Sequence, residues 1–189
     1  RYRIMFLKNK KVLLQVKDKG EWKRLSLAKH NIKGNVKIYI ELKEGKTFDA
    51  TTFSKEEILA IPEVAFYSES LEEVALVKFE DKQTVATVKG VEASFYFMSG
   101  LDTMLINGDR KTFMDAPNYM VLGYGIADKL SLYLSGSVTS RVSVIVPKKG
   151  HKKGLAPGSE FNRKFTRPSG IFSVNPDFDT KYALVNLKL

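Results

Sequence analysis

No uninterrupted apolar run in this chain is longer than a short β-strand. The longest, Val74–Val77 among them, span four residues, far below the ~18 consecutive apolar residues of a membrane-crossing helix. A chain built this way can bury a core only through faces, by alternation along strands and by three- and four-residue spacing along helices. Both periods are present. Val36, Ile38, Ile40 and Leu42 alternate with Lys37, Tyr39, Glu41 and Lys43, the pattern of a half-buried strand. Arg141–Val146 alternates likewise and predicts a strand ending at Pro147.

Other strands are expected over Tyr2–Leu7, Val12–Val16, Glu21–Leu27, Val64–Ser68, Glu73–Phe79, Thr84–Val91, Ile171–Val174 and Lys181–Leu187. The turn at Glu80-Asp81-Lys82 pairs two of them as a hairpin. Ser54 and Glu57 have capping-box spacing and predict a short helix over Lys55–Ala60, stopped by Pro62. A second helix is predicted over Gly123–Leu130, with Ile126, Ala127 and Leu130 on one face. Phe95–Met114 predicts no regular element, Lys148–Arg167 reads as a polar loop or long hairpin tip, and Asn175-Pro176-Asp177 reads as a connection. Many short strands with two short helices, neither alternating throughout nor all-β, make the fold class α+β.

With 43% hydrophobic and 28% charged residues, the 189-residue chain belongs with folded proteins and can form one domain or two small ones. It has no cysteine, which removes disulfides, thiolate metal ligands and cysteine nucleophiles. The net charge of +10 is uneven: residues 1–34 carry +9, residues 148–167 carry +6, and the remainder carries −5. Two basic segments on a mildly acidic body indicate local contact surfaces.

Reactive chemistry finds little support. His30 and His151, the only histidines, each sit among lysines without a neighbouring carboxylate, whereas a zinc site needs three or four converging ligands. Ser135-Gly136-Ser137 lacks the flanking pattern of a nucleophile elbow. Gly123-Tyr124-Gly125 precedes a helix but departs from dinucleotide-binding spacing, and no P-loop lysine follows a glycine run. Glu56-Glu57 and Glu72-Glu73 are adjacent pairs that point to different faces. The basic segments read as solvated loops or as protein or anionic-membrane contacts, in preference to a nucleic-acid surface.

One stretch resembles a known family. Val121-Leu122-Gly123, Ile126-Ala127, Leu130, Leu134, Gly136, then Val142, Val144, Val146 and Pro147 are similar to a hallmark of the large extracytoplasmic domain of LolC/LolE-type lipoprotein-releasing permeases. These permeases are relatives of MacB and FtsX permeases. Glu44-Gly45-Lys46-Thr47-Phe48, Ile61-Pro62-Glu63-Val64-Ala65, Leu71–Val77 and Lys82–Gly90 resemble the same domain in order. Phe161-Asn162-Arg163, Pro168–Val174 and Tyr182–Leu187 look like its Bacteroidetes branch. The colinear series spans residues 35–189, about 155 residues, and leaves 1–34 as an unassigned basic segment of short strands. Family domains continue past the position of Leu189, so the copy is expected to be incomplete there.

The resemblance implies a two-lobed periplasmic domain, one lobe mixed and βαβ-like, the other β-rich. It implies an inner-membrane protein with this domain in the periplasm. No catalytic centre, metal or cofactor is expected in this chain. ATP and magnesium belong to a separate ATPase subunit, and a partner permease is contacted through membrane helices. A lipoprotein substrate is released and handed to a LolA-like chaperone. By position, the chaperone-recruiting hairpin falls at Pro147, Lys148, Lys149, His151, Lys152, Lys153, Leu155, Pro157, Phe161 and Asn162. A MacB-like efflux permease, or an FtsX-like permease regulating a cell-wall hydrolase, is the alternative. A basic nucleic-acid-binding domain is a remote one.

Overall fold

A computed structural model of the chain describes residues 2–7, 11–18, 21–25, 54–60, 64–108, 116–134, 141–148 and 160–189. Two compact units result, residues 1–65 and 66–189. The expected strand at Val36–Leu42, the histidines and Ser135-Gly136-Ser137 lie outside the described residues.

In the first unit β1 (Tyr2–Leu7), β2 (Lys11–Asp18) and β3 (Glu21–Leu25) form an antiparallel meander in that order. Helix α1 (Lys55–Leu59) begins at Ser54, whose Oγ accepts from the Glu57 amide at 3.2 Å. Glu56 also joins this cap by accepting from the Ser54 hydroxyl at 3.1 Å, a side-chain contact distinct from the reciprocal bond to the Ser54 amide expected of Glu57. Backbone hydrogen bonding, then the Ser54 hydroxyl, hold the Glu56 carboxyl below its usual range.

The second unit is organised by one sheet. Its strands are β4 (Ser70–Phe79), β5 (Lys82–Val91), β6 (Leu105–Gly108), β7 (Tyr119–Gly123), β8 (Val142–Pro147), β9 (Phe161–Phe172) and β10 (Tyr182–Asn186). They lie in the order β6-β9-β7-β10-β5-β4-β8, and an additional β8–β9 pairing closes six of them into a ring. The β10–β5 and β7–β9 ladders are parallel and the remainder antiparallel. The α+β class is therefore correct.

The ring sorts its residues by parity. Ala75, Val77, Phe79, Ala86, Val88, Met120, Leu122, Val142, Val144, Ile171, Ala183 and Val185 form one buried cluster inside it. Helix α3 (Tyr124–Lys129) adds Ile126 and Ala127, and the following turn adds Leu130 and Leu132. The intervening residues Val91, Val121, Phe172 and Leu184 form a second cluster with Tyr96 and Leu101. Tyr96 comes from α2 (Ser94–Ser99), which ends on Gly100 at φ 67°, the left-handed conformation that glycine adopts without steric cost. β9 changes parity midway: its register against β7 slips between Met120 and Val121, so Ser169 is the extra residue of a bulge. The slip puts Thr166 and Ile171 on the same inner side and gives Pro168 a place where a missing amide costs little. The Ser169 hydroxyl secures the bulge by donating to the Met120 carbonyl at 3.2 Å.

Several expectations need correction. Val64–Ser68 is not a strand: the ladder with β5 starts at Ser70↔Val91, and the Glu69 amide donates to the Glu92 carboxylate at 3.0 Å instead. The span read as irregular contains α2, a 3-10 turn (Leu101–Thr103) and β6, held by packing of Tyr96 and Leu101. β7 was not expected as a strand. Asn175-Pro176-Asp177 opens a one-turn helix, α4 (Pro176–Asp179), in which Asn175 Oδ1 accepts from the Phe178 amide at 3.0 Å. Most consequential, of the two readings of Lys148–Arg167, loop or long hairpin, Phe161–Arg167 follows the second: it is the first half of β9, paired antiparallel to β8.

Candidate functional site

The candidate site is the ribbon made by β8 and the first half of β9. Its ladder runs from Val142↔Thr166 to Pro147↔Phe161, and the Lys148 amide extends it by donating to the Glu160 carbonyl at 2.7 Å. The strand on the other side of β8 stops earlier: β4 pairs with Val142–Ile145 only. Val146 and Pro147 are therefore held by β9 alone, and the ribbon leaves the ring as two strands. Exposure follows this geometry. Val142 and Thr166 are buried at the base, whereas Phe161 is 48% exposed at the far end.

Alternation gives the ribbon two faces. Val142 and Val144 point into the core, with Val146 partly packed against it. Thr166 joins this side, its hydroxyl donating to the Val142 carbonyl at 3.4 Å. Ser143, Ile145 and Pro147 share the outward face with Phe161, Arg163 and Phe165 across the ladder. That face continues onto the hairpin of β4 and β5 through the rows Leu76↔Ile145 and Leu76↔Val85. The result is an apolar strip with cationic neighbours: Phe161, Phe165 and Val85 are exposed, and so are Lys78 and Arg163.

Of the predicted site residues, the structure brings four together. Pro147 lies opposite Phe161, Asn162 lies opposite Val146, and Lys148 is one step beyond. Lys149, His151, Lys152, Lys153, Leu155 and Pro157 lie outside the described residues. Sequence reasoning missed Arg141, Arg167 and Asn118, which with Phe165 and Thr166 line a cleft of about 200 Å³ where the ribbon joins the ring. Arg167 could have been flagged, since it closes the second basic segment. Arg141 and Asn118 lie outside that segment and are gathered by the ladder alone.

Among the described residues no group of three His, Asp or Glu side chains is placed to hold a metal ion, and no helix is long and apolar enough to cross a membrane. Tyr67, at the open end of the β4–β5 hairpin and well separated in sequence from the ribbon, has a displaced titration. Burial, then the charge of Glu69 and its hydrogen bond to the phenol at 3.3 Å, then the charge of Glu92, push it up to about 12.

No family model matches the chain, and no curated protein matches it. Among solved structures, the chain is similar to the extracellular domain of the noncanonic ABC-type transporter YknZ from Gram-positive bacteria. The TM-score is 0.49 at 13% identity, over 72% of this chain and 63% of that one. It is also similar to a domain of a candidate permease from Porphyromonas gingivalis, with a TM-score of 0.46 at 16% identity, over 68% of this chain and 48% of that one. The chain thus spans less than two thirds of either structure's length. At these scores and identities the likeness assigns neither family nor activity.

Proposed function

We propose that this chain is the extracytoplasmic domain of an ABC-transporter permease of the lipoprotein-releasing type, with residues 35–189 forming the family domain. On this reading ATP is bound and hydrolysed by a separate subunit, and membrane helices of the whole protein relay the motion. This domain passes lipoprotein from the inner membrane to a LolA-like periplasmic chaperone. It holds no cofactor and catalyses nothing itself.

The observation that carries the reading is the ribbon. It is two-stranded beyond Ile145, exposed at Pro147 and Phe161, and flanked by the cations Lys148, Arg163 and Lys164. A ribbon anchored by a buried base and exposed at the Pro147–Phe161 pair suits capture of a second protein, with exposed side chains for contact and a paired stem to position them. It falls where the colinear resemblance places a recruiting hairpin.

Deleting residues 150–159, or changing Phe161→Ala with Pro147→Ala, is expected to weaken chaperone binding at least about tenfold, in the range of a lost hot-spot contact. The circular dichroism spectrum should not change, because the ladder from Val142 to Val146 is retained. Unaltered affinity in a folded variant refutes the role.

A further inference from the structure

We infer that the cleft at the base of the ribbon is a phosphoryl-group site, formed by Arg141 and Arg167 with Asn118 and the ring of Phe165. This goes beyond the chaperone role and does not depend on it.

The reasoning starts from the ladder. Val142 pairs with Thr166, so Arg141, one residue before, and Arg167, one residue after, face each other across the antiparallel strands. Both line the same cleft, so both side chains are on one face. Like charges directly opposite on one sheet face repel, and a fold usually answers this with a carboxylate. Here none of the described acidic residues pairs with either guanidinium. Among the described residues, neighbours in the cleft add no negative charge: Asn118 offers an amide, Phe165 a half-exposed ring, and Thr166 has turned its hydroxyl inward to the Val142 carbonyl.

The backbone makes the pair rigid. Arg167 sits where β9 passes from pairing with β8 to pairing with β7, and its amide donates to the Asn118 carbonyl at 2.8 Å. Arg141 is held one residue from a fully buried Val142. Two guanidinium groups lining one cleft suit a phosphoryl group, each able to engage two of its oxygens, and an arginine is less strongly hydrated than a lysine when it does so. The cleft, at about 200 Å³, admits a phosphoryl group with a small substituent and leaves the remainder of a ligand outside, over Phe165 and the apolar strip.

That chemistry has two sources, an anionic lipid headgroup and a free or soluble phosphate, and the test separates them. Inorganic phosphate is titrated into the full 189-residue chain by calorimetry. In parallel, the chain is sedimented with phosphatidylcholine vesicles with and without phosphatidylglycerol. Arg141→Gln and Arg167→Gln are each expected to weaken whichever binding is seen by about tenfold or more, as for a lost charge-assisted bidentate contact. Arg141→Lys, which keeps the charge and loses the fork, should still lose several-fold. Lys129→Gln, with the same charge change on exposed α3 away from the cleft, should lose less than about twofold. Arginine-dependent phosphate heat without vesicle retention supports a soluble ligand. Arginine-dependent retention on phosphatidylglycerol supports a lipid headgroup. Equal losses in all three glutamine variants would show diffuse attraction and overturn the site, as would failure of both probes to bind.

Discussion

Gly123 joins β7 to α3, and replacing it with alanine gives a stability change that can be worked from the structure. Its backbone, at φ −64° and ψ 144°, is open to any residue, so no conformational strain is involved. The constraint is space. A Cβ at this position would stand 2.3 Å from the Asp179 carbonyl oxygen and 2.8 and 2.9 Å from the carbon atoms beside it. The first falls about 0.7 Å short of the 3.0 Å that real Cβ contacts respect, and all three are backbone atoms with no rotamer to turn. Helix α4 must therefore move, and it is tied down. The buried Asp179 carboxylate accepts from the Ser173 hydroxyl and the Val174 amide, both at 2.8 Å. Overpacking costs about 1–3 kcal/mol, and loosening one or two of those hydrogen bonds adds about 1 kcal/mol each. Gly123→Ala should lose about 2–5 kcal/mol in urea unfolding followed by circular dichroism. Gly125→Ala is the milder comparison: its added Cβ meets the Thr180 methyl at 2.5 Å but backbone atoms only at 3.2 and 3.3 Å, and alanine gains about 1 kcal/mol of helix propensity in α3. Turning the methyl aside costs the hydrogen bond from the Thr180 hydroxyl to the Pro176 carbonyl, about 1 kcal/mol, so this variant should lose clearly less than Gly123→Ala. If the two variants lose equally, or Gly123→Ala stays within about 0.5 kcal/mol, the close approach of β7 and α4 is not what fixes glycine there.

Two further outcomes follow from named contacts. Asp179→Ala should cost about 1–3 kcal/mol in the same unfolding assay, because the Val174 amide and Ser173 hydroxyl lose a buried acceptor, whereas a surface change such as Lys129→Ala should stay within about 0.5 kcal/mol. Ultraviolet titration should find Tyr67 ionising near pH 12, a step absent from a Tyr67→Phe variant, and Glu69→Gln should lower it; because the folded value lies above the ordinary one of about 10, the associated stability is complete below pH 10 and declines as pH rises towards 12, and Tyr67→Phe should lack that decline.

The sequence made some of these elements visible and concealed others for identifiable reasons. α3 was readable because Ile126, Ala127 and Leu130 recur on one face, and β8 because Val142, Val144 and Val146 alternate before a proline. β7 was hidden because Met120 and Leu122 face the ring interior while Val121 faces α2: a strand covered on both sides has no alternation to detect. The early half of β9 looked like a loop or hairpin tip since its exposed residues are polar or cationic, and its strand character comes from the ladder with β8. α2 is six residues long with no side-chain cap, so tertiary packing of Tyr96 stabilises it and local sequence does not announce it. For the site, Pro147 was legible as a strand boundary, whereas Phe161 reads as part of the loop or hairpin tip. The Arg141–Arg167 pairing was not legible, because it joins residues on two strands through a register that only the closed ring specifies.

The length of β9 has a mechanical consequence. Twelve extended residues span roughly 40 Å, so one continuous strand reaches from the bare tip at Phe161 to the cluster beneath α2 at Phe172. A pull on the tip along this strand loads the parallel hydrogen bonds to β7 in shear, where they must yield together, instead of peeling them one at a time. On the proposed reading, tension on a captured partner would reach the far wall of the ring along this one strand, with the bulge at Ser169 as its point of bending.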